Sequence, residues 1–192
     1  LDDGRQAVGA FRMLAGKLKR EILQDVQEHQ EYVSRLVEQL KGQPIAVHTT
    51  DANRQHYEVP PAFFETVLGS RLKYSCGYWP GELGDAGLLE GLDAAEEAML
   101  ELTCQRADLQ DGQDILELGC GWGSLCLYVA GKHPNSRVQA LSNAESQIQW
   151  IRQEAKRQGL ENLTVLRADI NDYQAGERFD RVVSVEMFEH LR

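Results

Sequence analysis

The stretch Asp114-Ile-Leu-Glu-Leu-Gly-Cys-Gly-Trp-Gly123 decides the fold of this chain. Its apolar residues Ile115, Leu116 and Leu118 form a short run that is typical of a buried strand. The glycines that follow allow the backbone to turn sharply, because a residue without a Cβ tolerates positive φ. The next residues, 124–130, have the composition of a packed helix. A strand, a glycine turn and a helix in this order are typical of a nucleotide-binding α/β unit.

Strand and helix patterns alternate through the rest of the chain. The predicted strands are 115–118, 137–141, 163–166 and 179–185, and the predicted helices between them are 124–132 and 146–158. Strands separated by helices predict a doubly wound parallel sheet with right-handed crossovers. Ligands bind beyond the carboxyl ends of such strands, so we expect the residues after the four strands to converge on one pocket.

The residues before the glycine stretch are predicted to be mainly helical. Apolar residues at helical spacing predict a helix from about residue 5 to residue 40. Its mixed charges favour packing on its own protein, as a lid or a dimer surface, over binding to a membrane surface. A short helix at 62–68 is expected to bury three apolar side chains: Phe63, Phe64 and Val67.

A longer helix is predicted at 88–109. The apolar side of this helix is expected to consist of Leu92, Ala95, Met99 and Leu102, with Ala98 as a further candidate. We therefore divide the chain into a helical accessory region, 1–70, and an α/β core, 71–192.

The composition excludes several classes of function. A net charge of −10 argues against non-specific binding to nucleic acid or to anionic lipid. Neither a membrane-spanning apolar run nor a signal peptide is evident, and the cysteines have no spacing typical of disulfides or metal ligands, so we expect a reduced, cytoplasmic protein without a metal. Three cysteines are expected to be small buried hydrophobes: Cys104, Cys120 and Cys126. Three histidines are expected to be solvated or locally bonded: His29, His48 and His56.

The spacing of the glycines indicates which class of ligand the turn binds. They form G-x-G-x-G after Glu117, whereas a dinucleotide site requires G-x-G-x-x-G and an acidic residue about 20 positions further on. The pattern resembles motif I of S-adenosylmethionine-dependent methyltransferases, whose cofactor has an ammonium and a sulfonium that suit a carboxylate. A tight turn without a ligand is the alternative. The aromatic segment 72–79 is interpreted as a loop that covers a small-molecule site, or else as a structural hinge.

Longer stretches are similar to the cyclopropane-fatty-acid synthase superfamily of methyltransferases, and most similar to its coclaurine N-methyltransferase branch. The matching stretches are Tyr74-Ser-Cys-Gly-Tyr-Trp79, Leu109-Gln-Asp-Gly-Gln113, Leu116-Glu-Leu-Gly-Cys-Gly-Trp-Gly-Ser124, Ala140-Leu-Ser-Asn143 with Gln147, and Ser184-Val-Glu-Met-Phe-Glu-His190. The resemblance covers about residues 45–192. It implies a Rossmann-like class I methyltransferase fold with an N-terminal helical extension. Because that fold has seven strands and four are visible here, we expect a fragment truncated after strand four, inactive by itself.

The resemblance also implies roles for particular residues. The cofactor S-adenosylmethionine is expected to contact Tyr74, Ser75, Glu117, Gly119, Cys120, Gly121, Gly123, Ser142, Asn143, Gln147, Asp169 and Ile170. In the N-methyltransferase branch, the residues that match Glu186, Glu189 and His190 are catalytic. In the cyclopropane branch, Glu189 and the backbone at Cys76 help to bind a bicarbonate ion that acts as the base. A solvated helix start is the purely structural alternative for these three residues.

Three functions follow as hypotheses. The first is N-methylation of a small hydrophobic amine, in which Glu189 and His190 position the amine and take its proton and Glu186 attracts an ammonium. The second is addition of a methylene to an unsaturated acyl chain of a lipid. The third is a non-catalytic binding or scaffolding protein. A homodimer through the N-terminal helices is the alternative to their role as a lid.

Overall fold

The computed structural model describes residues 26–46, 60–79 and 91–191. The helices are α1 (Val26–Lys41), α2 (Pro61–Val67), α3 (Leu92–Arg106), α4 (Ser124–Lys132) and α5 (Glu145–Gln158). The strands are β1 (Asp114–Leu118), β2 (Arg137–Ser142), β3 (Leu163–Arg167) and β4 (Arg181–Val183), and a 3₁₀ turn follows at Phe188–His190.

The four strands form one parallel sheet in the order β3-β2-β1-β4. Ile115 of β1 pairs with Val138 of β2 on one side and with Arg181 of β4 on the other. Val138 in turn pairs with Leu163 of β3. Helices α4 and α5 connect β1 to β2 and β2 to β3. The predicted Rossmann-like α/β fold is therefore confirmed.

The main core lies between the sheet and its helices. Strands β1 and β2 are largely buried, as expected for parallel strands that are covered on both faces. The core cluster includes Ile115, Val138 and Ala140 of the sheet together with Val129, Ile148 and Ile151 of the helices. Cys104, Cys120 and Cys126 are buried in the same cluster, which confirms their expected role as small hydrophobes.

Helix α3 buries some residues that its predicted apolar side did not include. Its buried residues are Ala95, Glu96, Leu100 and Cys104. Of the five residues predicted for the apolar side, Ala95 is buried, and Leu92, Ala98, Met99 and Leu102 are half-buried. One of the additional buried residues is Glu96, whose carboxylate accepts hydrogen bonds from the backbone N–H groups of Gly69 (2.9 Å) and Arg71 (3.0 Å). A carboxylate with two such partners can be buried, although the sequence pattern places it on the solvated face.

Helix α2 buries fewer residues than predicted, and strand β4 is shorter than predicted. Helix α2 buries Phe64, but Phe63 and Val67 are 52% and 47% exposed, so their predicted burial was wrong. Strand β4 pairs over three residues, although a strand was predicted over 179–185. Beyond β4 the hydroxyl of Ser184 donates to the carbonyl of Leu118 at 2.9 Å, so a side chain occupies an acceptor that a continued ladder would use.

Helix α1 belongs to a compact unit separate from residues 46–191 and is described by itself. None of its residues, all of which are described, is buried, and His29 is exposed as expected. The part of the long predicted helix before residue 26, as well as His48 and His56, lies outside the described residues. The role of this helix as a lid or a dimer surface stays a prediction, and so does the domain boundary at residue 70. No helix within 26–46, 60–79 or 91–191 is long and apolar enough to cross a membrane.

Candidate functional site

A cavity of about 950 Å³ lies beyond the carboxyl ends of the strands. Residues that follow β1, β2, β3 and β4 all line it, as the topology of a parallel sheet requires. The predicted site residues on its wall are Tyr74, Ser75, Glu117, Gly119, Cys120, Gly121, Ser142, Asn143, Gln147, Asp169, Ile170, Glu186, Glu189 and His190. Of the predicted site residues, which all lie in the described part of the chain, Gly123 is the one that does not line it.

The glycine turn keeps one wall of the cavity open. Gly119, Gly121 and Gly123 have φ of 72°, 51° and 81°, which side chains with a Cβ rarely adopt. A Cβ on Gly123 would lie 2.6 Å from Cγ1 of Ile151, so this glycine lets α5 pack closely on the turn. A Cβ on Gly121 would meet nothing within 4 Å. Gly121 therefore borders open space in the cavity, where a ligand can lie against the backbone.

Glu117 places a buried carboxylate with one unpaired oxygen on the cavity wall. Its side chain is 3% exposed, and its Oε2 has no hydrogen-bond partner among the residues that the structure describes. Burial raises the pKa of Glu117 to about 7 from its ordinary 4.5, while Cys126 and the ammonium of Lys73 oppose this effect. A cation or a hydroxyl donor at this position would satisfy the orphaned oxygen.

Ser142 and Gln147 present a second unpaired group. The Ser142 hydroxyl donates to Oε1 of Gln147 at 2.9 Å and accepts a hydrogen bond from the N–H of Ala144 at 3.1 Å. These bonds fix the orientation of the Gln147 amide. Its Nε2 is buried and lacks a partner within the described residues, so it remains available to an acceptor on a ligand.

Another part of the cavity wall is aromatic and includes Tyr74 and Trp122. Phe64 packs against Trp122 with ring centroids 4.9 Å apart, and against Tyr74 at 5.2 Å in an edge-to-face arrangement. Trp122 is 1% exposed, and its indole N–H is a third buried group without a partner in the described chain. This wall is mainly apolar and has one open donor.

Residues after β4 form the outer rim of the cavity. Glu186 has φ of 51°, and its Oε1 accepts the backbone N–H of Cys76 at 3.1 Å. Glu189 and His190 lie in the 3₁₀ turn and are exposed. Next to this turn, Leu191 forms a β-bridge with Ala46, and Ala46 exchanges two hydrogen bonds with Asn171 (2.9 and 3.0 Å). A carboxylate and an imidazole are thus held where a second molecule can enter.

Sequence reasoning gave no role to three further residues that line the cavity: Lys73, Trp122 and Met187. Trp122 lies inside the glycine motif, and its position alone could have pointed to it. A Cβ added to Gly119 would lie 2.6 Å from Sδ of Met187. Only the three-dimensional fold reveals that these two residues are close. Lys73 is 4% exposed, whereas a lysine among tyrosines in sequence looks solvated.

Comparison with known proteins agrees with this geometry. The model of the mycolic acid cyclopropane synthetase family matches residues 46–192. The chain belongs to this family. An (S)-coclaurine N-methyltransferase from Thalictrum flavum subsp. glaucum is 41% identical over 167 residues, which are 85% of this chain and 45% of that protein. A cyclopropane-fatty-acyl-phospholipid synthase from Escherichia coli K12 is more distant, at 36% identity over 138 residues, 72% of this chain and 33% of the synthase.

A solved structure of a family member has the same fold. The crystal structure of a coclaurine N-methyltransferase bound to N-methylheliamine and S-adenosylhomocysteine (SAH) superposes with a TM-score of 0.81 at 39% identity. The match covers 100% of this chain and 53% of that one. The chain thus spans about half the length of the relatives that it matches.

Proposed function

We propose that this chain forms the cofactor-binding part of an S-adenosylmethionine-dependent methyltransferase that N-methylates a small hydrophobic amine. One observation supports this most: three buried polar atoms without partners in the described chain, Oε2 of Glu117, Nε1 of Trp122 and Nε2 of Gln147, belong to residues lining one cavity. Unsatisfied buried groups are costly, and a ligand with both donors and acceptors would satisfy them. Membership of a family with N-methyltransferases supports the same function.

The proposed cofactor contacts are those that the family resemblance implies. Tyr74 and Ser75 would hold the methionine end, and Glu117 with the glycine turn would hold the methionyl and ribose parts. Asn143 and the Ser142–Gln147 pair would lie around the ribose, and Asp169 with Ile170 would lie near the adenine. When bound, this cofactor supplies an electrophilic methyl group on a sulfonium.

The residues at the rim have a different task, because an amine must be neutral to attack. We assign Glu189 and His190 to holding the amine and removing its proton, so that the nitrogen lone pair is free to form the new N–C bond as the C–S bond breaks. Glu186 would attract the approaching ammonium. Tyr74, which lines the cavity and packs against Phe64, would receive the hydrophobic body of the acceptor.

Lipid modification is the second candidate, supported by the similarity to a cyclopropane-fatty-acyl-phospholipid synthase. Its bicarbonate base would need the backbone N–H of Cys76 together with Glu189. That N–H already donates to Glu186 at 3.1 Å, so an anion would have to displace a carboxylate. This bond favours the amine over the lipid.

A competition assay separates the candidates. The full-length gene product is incubated with methyl-labelled S-adenosylmethionine, a cyclic secondary amine and an unsaturated phospholipid, and mass spectrometry identifies which acceptor gains a carbon. We expect gain on the amine. Gain on the lipid alone would overturn the proposed acceptor, and no gain together with no cofactor binding would favour a scaffold.

A matched pair of variants tests the roles at the rim. Glu189→Gln should lower turnover by about 100-fold, the usual size of a lost general base. Glu161→Gln changes another exposed glutamate, before the amino end of β3 and away from the cavity, and should have no effect. Equal turnover of the two variants would refute the role of Glu189.

The remaining proposals concern the cellular compartment, the binding partners and the oligomeric state. We propose a reducing cytoplasm, supported by four free thiols, of which only Cys76 is exposed. The net charge of −10 disfavours nucleic acid as a partner. A homodimer through the N-terminal helices is a proposal that sedimentation would test.

A further inference from the structure

Lys73 is a buried cation on the wall of the cavity. Its side chain is 4% exposed, and its ammonium donates to the hydroxyl of Ser75. No carboxylate forms an ion pair with it in the part of the chain that the structure describes. Burial of an ammonium without a paired anion is costly, and burial lowers the pKa of Lys73. The electrostatic effect of four acidic groups opposes that shift: Cys76, Glu186, Glu96 and Glu117.

The bond to Lys73 determines what Ser75 can offer to a ligand. A serine hydroxyl has one donor, and its oxygen already accepts from the ammonium. The Ser75 O–H is therefore left to donate, and it is polarised by the adjacent positive charge. Both residues line the cavity. Together they form a cationic donor pair, which suits a carboxylate.

Another part of the same wall has the opposite character. Glu117 contributes a buried carboxylate oxygen without a partner in the described chain. One cavity thus has a donor pair for an anion and an acceptor for a cation. A ligand with a carboxylate and an ammonium on adjacent atoms, the zwitterion of an α-amino acid, is complementary to this arrangement.

We propose that Lys73 is a positioning residue that selects the amino-acid end of the cofactor: it orients and polarises the Ser75 hydroxyl, which binds the α-carboxylate. This inference rests on the proposed function, because S-adenosylmethionine and SAH contain such a zwitterion. It goes further, because it makes the carboxylate, rather than the nucleoside, the part that Lys73 recognises.

The test compares two ligands that differ in the amino-acid end. SAH has the carboxylate, and 5′-methylthioadenosine has the same thioether nucleoside without it. Isothermal titration calorimetry on the full-length protein is run with Lys73→Met, Lys73→Arg and Ser75→Ala. Lys132→Met removes a half-exposed lysine that pairs with Glu101 outside the cavity, and serves as the matched control.

We expect Lys73→Met to weaken SAH about 10- to 100-fold, the range for a charge-assisted hydrogen bond, and to change 5′-methylthioadenosine less than about twofold. Lys73→Arg should restore part of the loss. In Ser75→Ala the further effect of Lys73→Met should shrink, because the two residues act together. The control variant should bind both ligands normally.

The outcomes separate two kinds of failure. If the unmodified protein binds both ligands and Lys73→Met retains SAH, or weakens both ligands equally, the role of Lys73 is refuted while the proposed function stands. If the unmodified protein binds neither ligand, the proposed function fails, and this inference with it. Retained binding of 5′-methylthioadenosine also shows that a variant is folded.

Discussion

Cofactor binding should depend on pH through Glu117. In the unliganded protein, burial raises the pKa of this carboxyl to about 7, so it is largely protonated at pH 6 and largely ionised at pH 8. The ammonium of SAH favours the ionised form. The groups that act on Glu117 itself are Lys73 and Cys126, and both lower its pKa. Affinity should therefore rise with pH through about 7.

The magnitude follows from the cost of deprotonating Glu117 before binding. The affinity of a ligand that binds only the ionised carboxylate is lowered by the factor 1 + 10^(pKa − pH). With a pKa of about 7, this factor is about 11 at pH 6 and about 1.1 at pH 8. The dissociation constant for SAH should thus be about tenfold higher at pH 6 than at pH 8. Glu117→Gln cannot titrate, and its pH dependence should fall below about twofold.

Calorimetry in two buffers of different ionisation enthalpy measures both the affinity and the protons exchanged. Near pH 6.5 we expect net release of protons on binding to the unmodified protein and much less release with Glu117→Gln. Affinity that is independent of pH, or a slope that persists in Glu117→Gln, would refute the assignment of this carboxylate to a cationic part of the ligand.

Chemical denaturation tests two further points. Gly123→Ala should lower the free energy of unfolding by about 3 kcal/mol, because it combines a strained positive φ with a Cβ 2.6 Å from Ile151. Gly121→Ala has only the strained φ and should cost about 1 kcal/mol. Equal losses in the two variants would contradict the role of close packing at Gly123. Glu96→Ala should cost about 3 kcal/mol of stability, because two backbone N–H groups lose a charged acceptor. Glu97→Ala removes only the ion pair between Arg71 and a 52% exposed carboxylate, and it should cost less than about 1 kcal/mol. A loss in Glu96→Ala no larger than in Glu97→Ala would show that the buried bonds contribute little.

The sequence predicted the α/β core well because its signals are local. The apolar run 115–118, the glycine turn and the closing Gly159 each specify one element without reference to the rest of the chain. The predicted cavity followed from a general property of parallel sheets, because the carboxyl ends of the strands meet at one edge. That property brings Gly119, Asn143, Asp169 and Glu186 to one cavity, whereas Tyr74 and His190 were assigned to it by the family resemblance.

What the sequence could not predict depends on long-range partners. Glu96 is buried because distant backbone N–H groups need an acceptor, and Lys73 is buried beside Ser75 within the cavity. Both are charged residues that a hydropathy pattern assigns to solvent. Conversely, Phe63 and Val67 look like core residues, but α2 has a single buried position. Burial of a polar side chain is set by its partners, which a periodic pattern does not contain.

The central claim is that a cofactor satisfies the unpaired buried groups of the cavity. The indole N–H signals in a ¹⁵N–¹H NMR spectrum test it directly. Trp122 has an unpartnered N–H at the cavity, whereas the N–H of Trp150 already donates to Glu65 at 3.2 Å and provides an internal control. On saturation with SAH, the Trp122 indole signal should move downfield while that of Trp150 stays in place. An unchanged Trp122 signal at saturation would contradict the account.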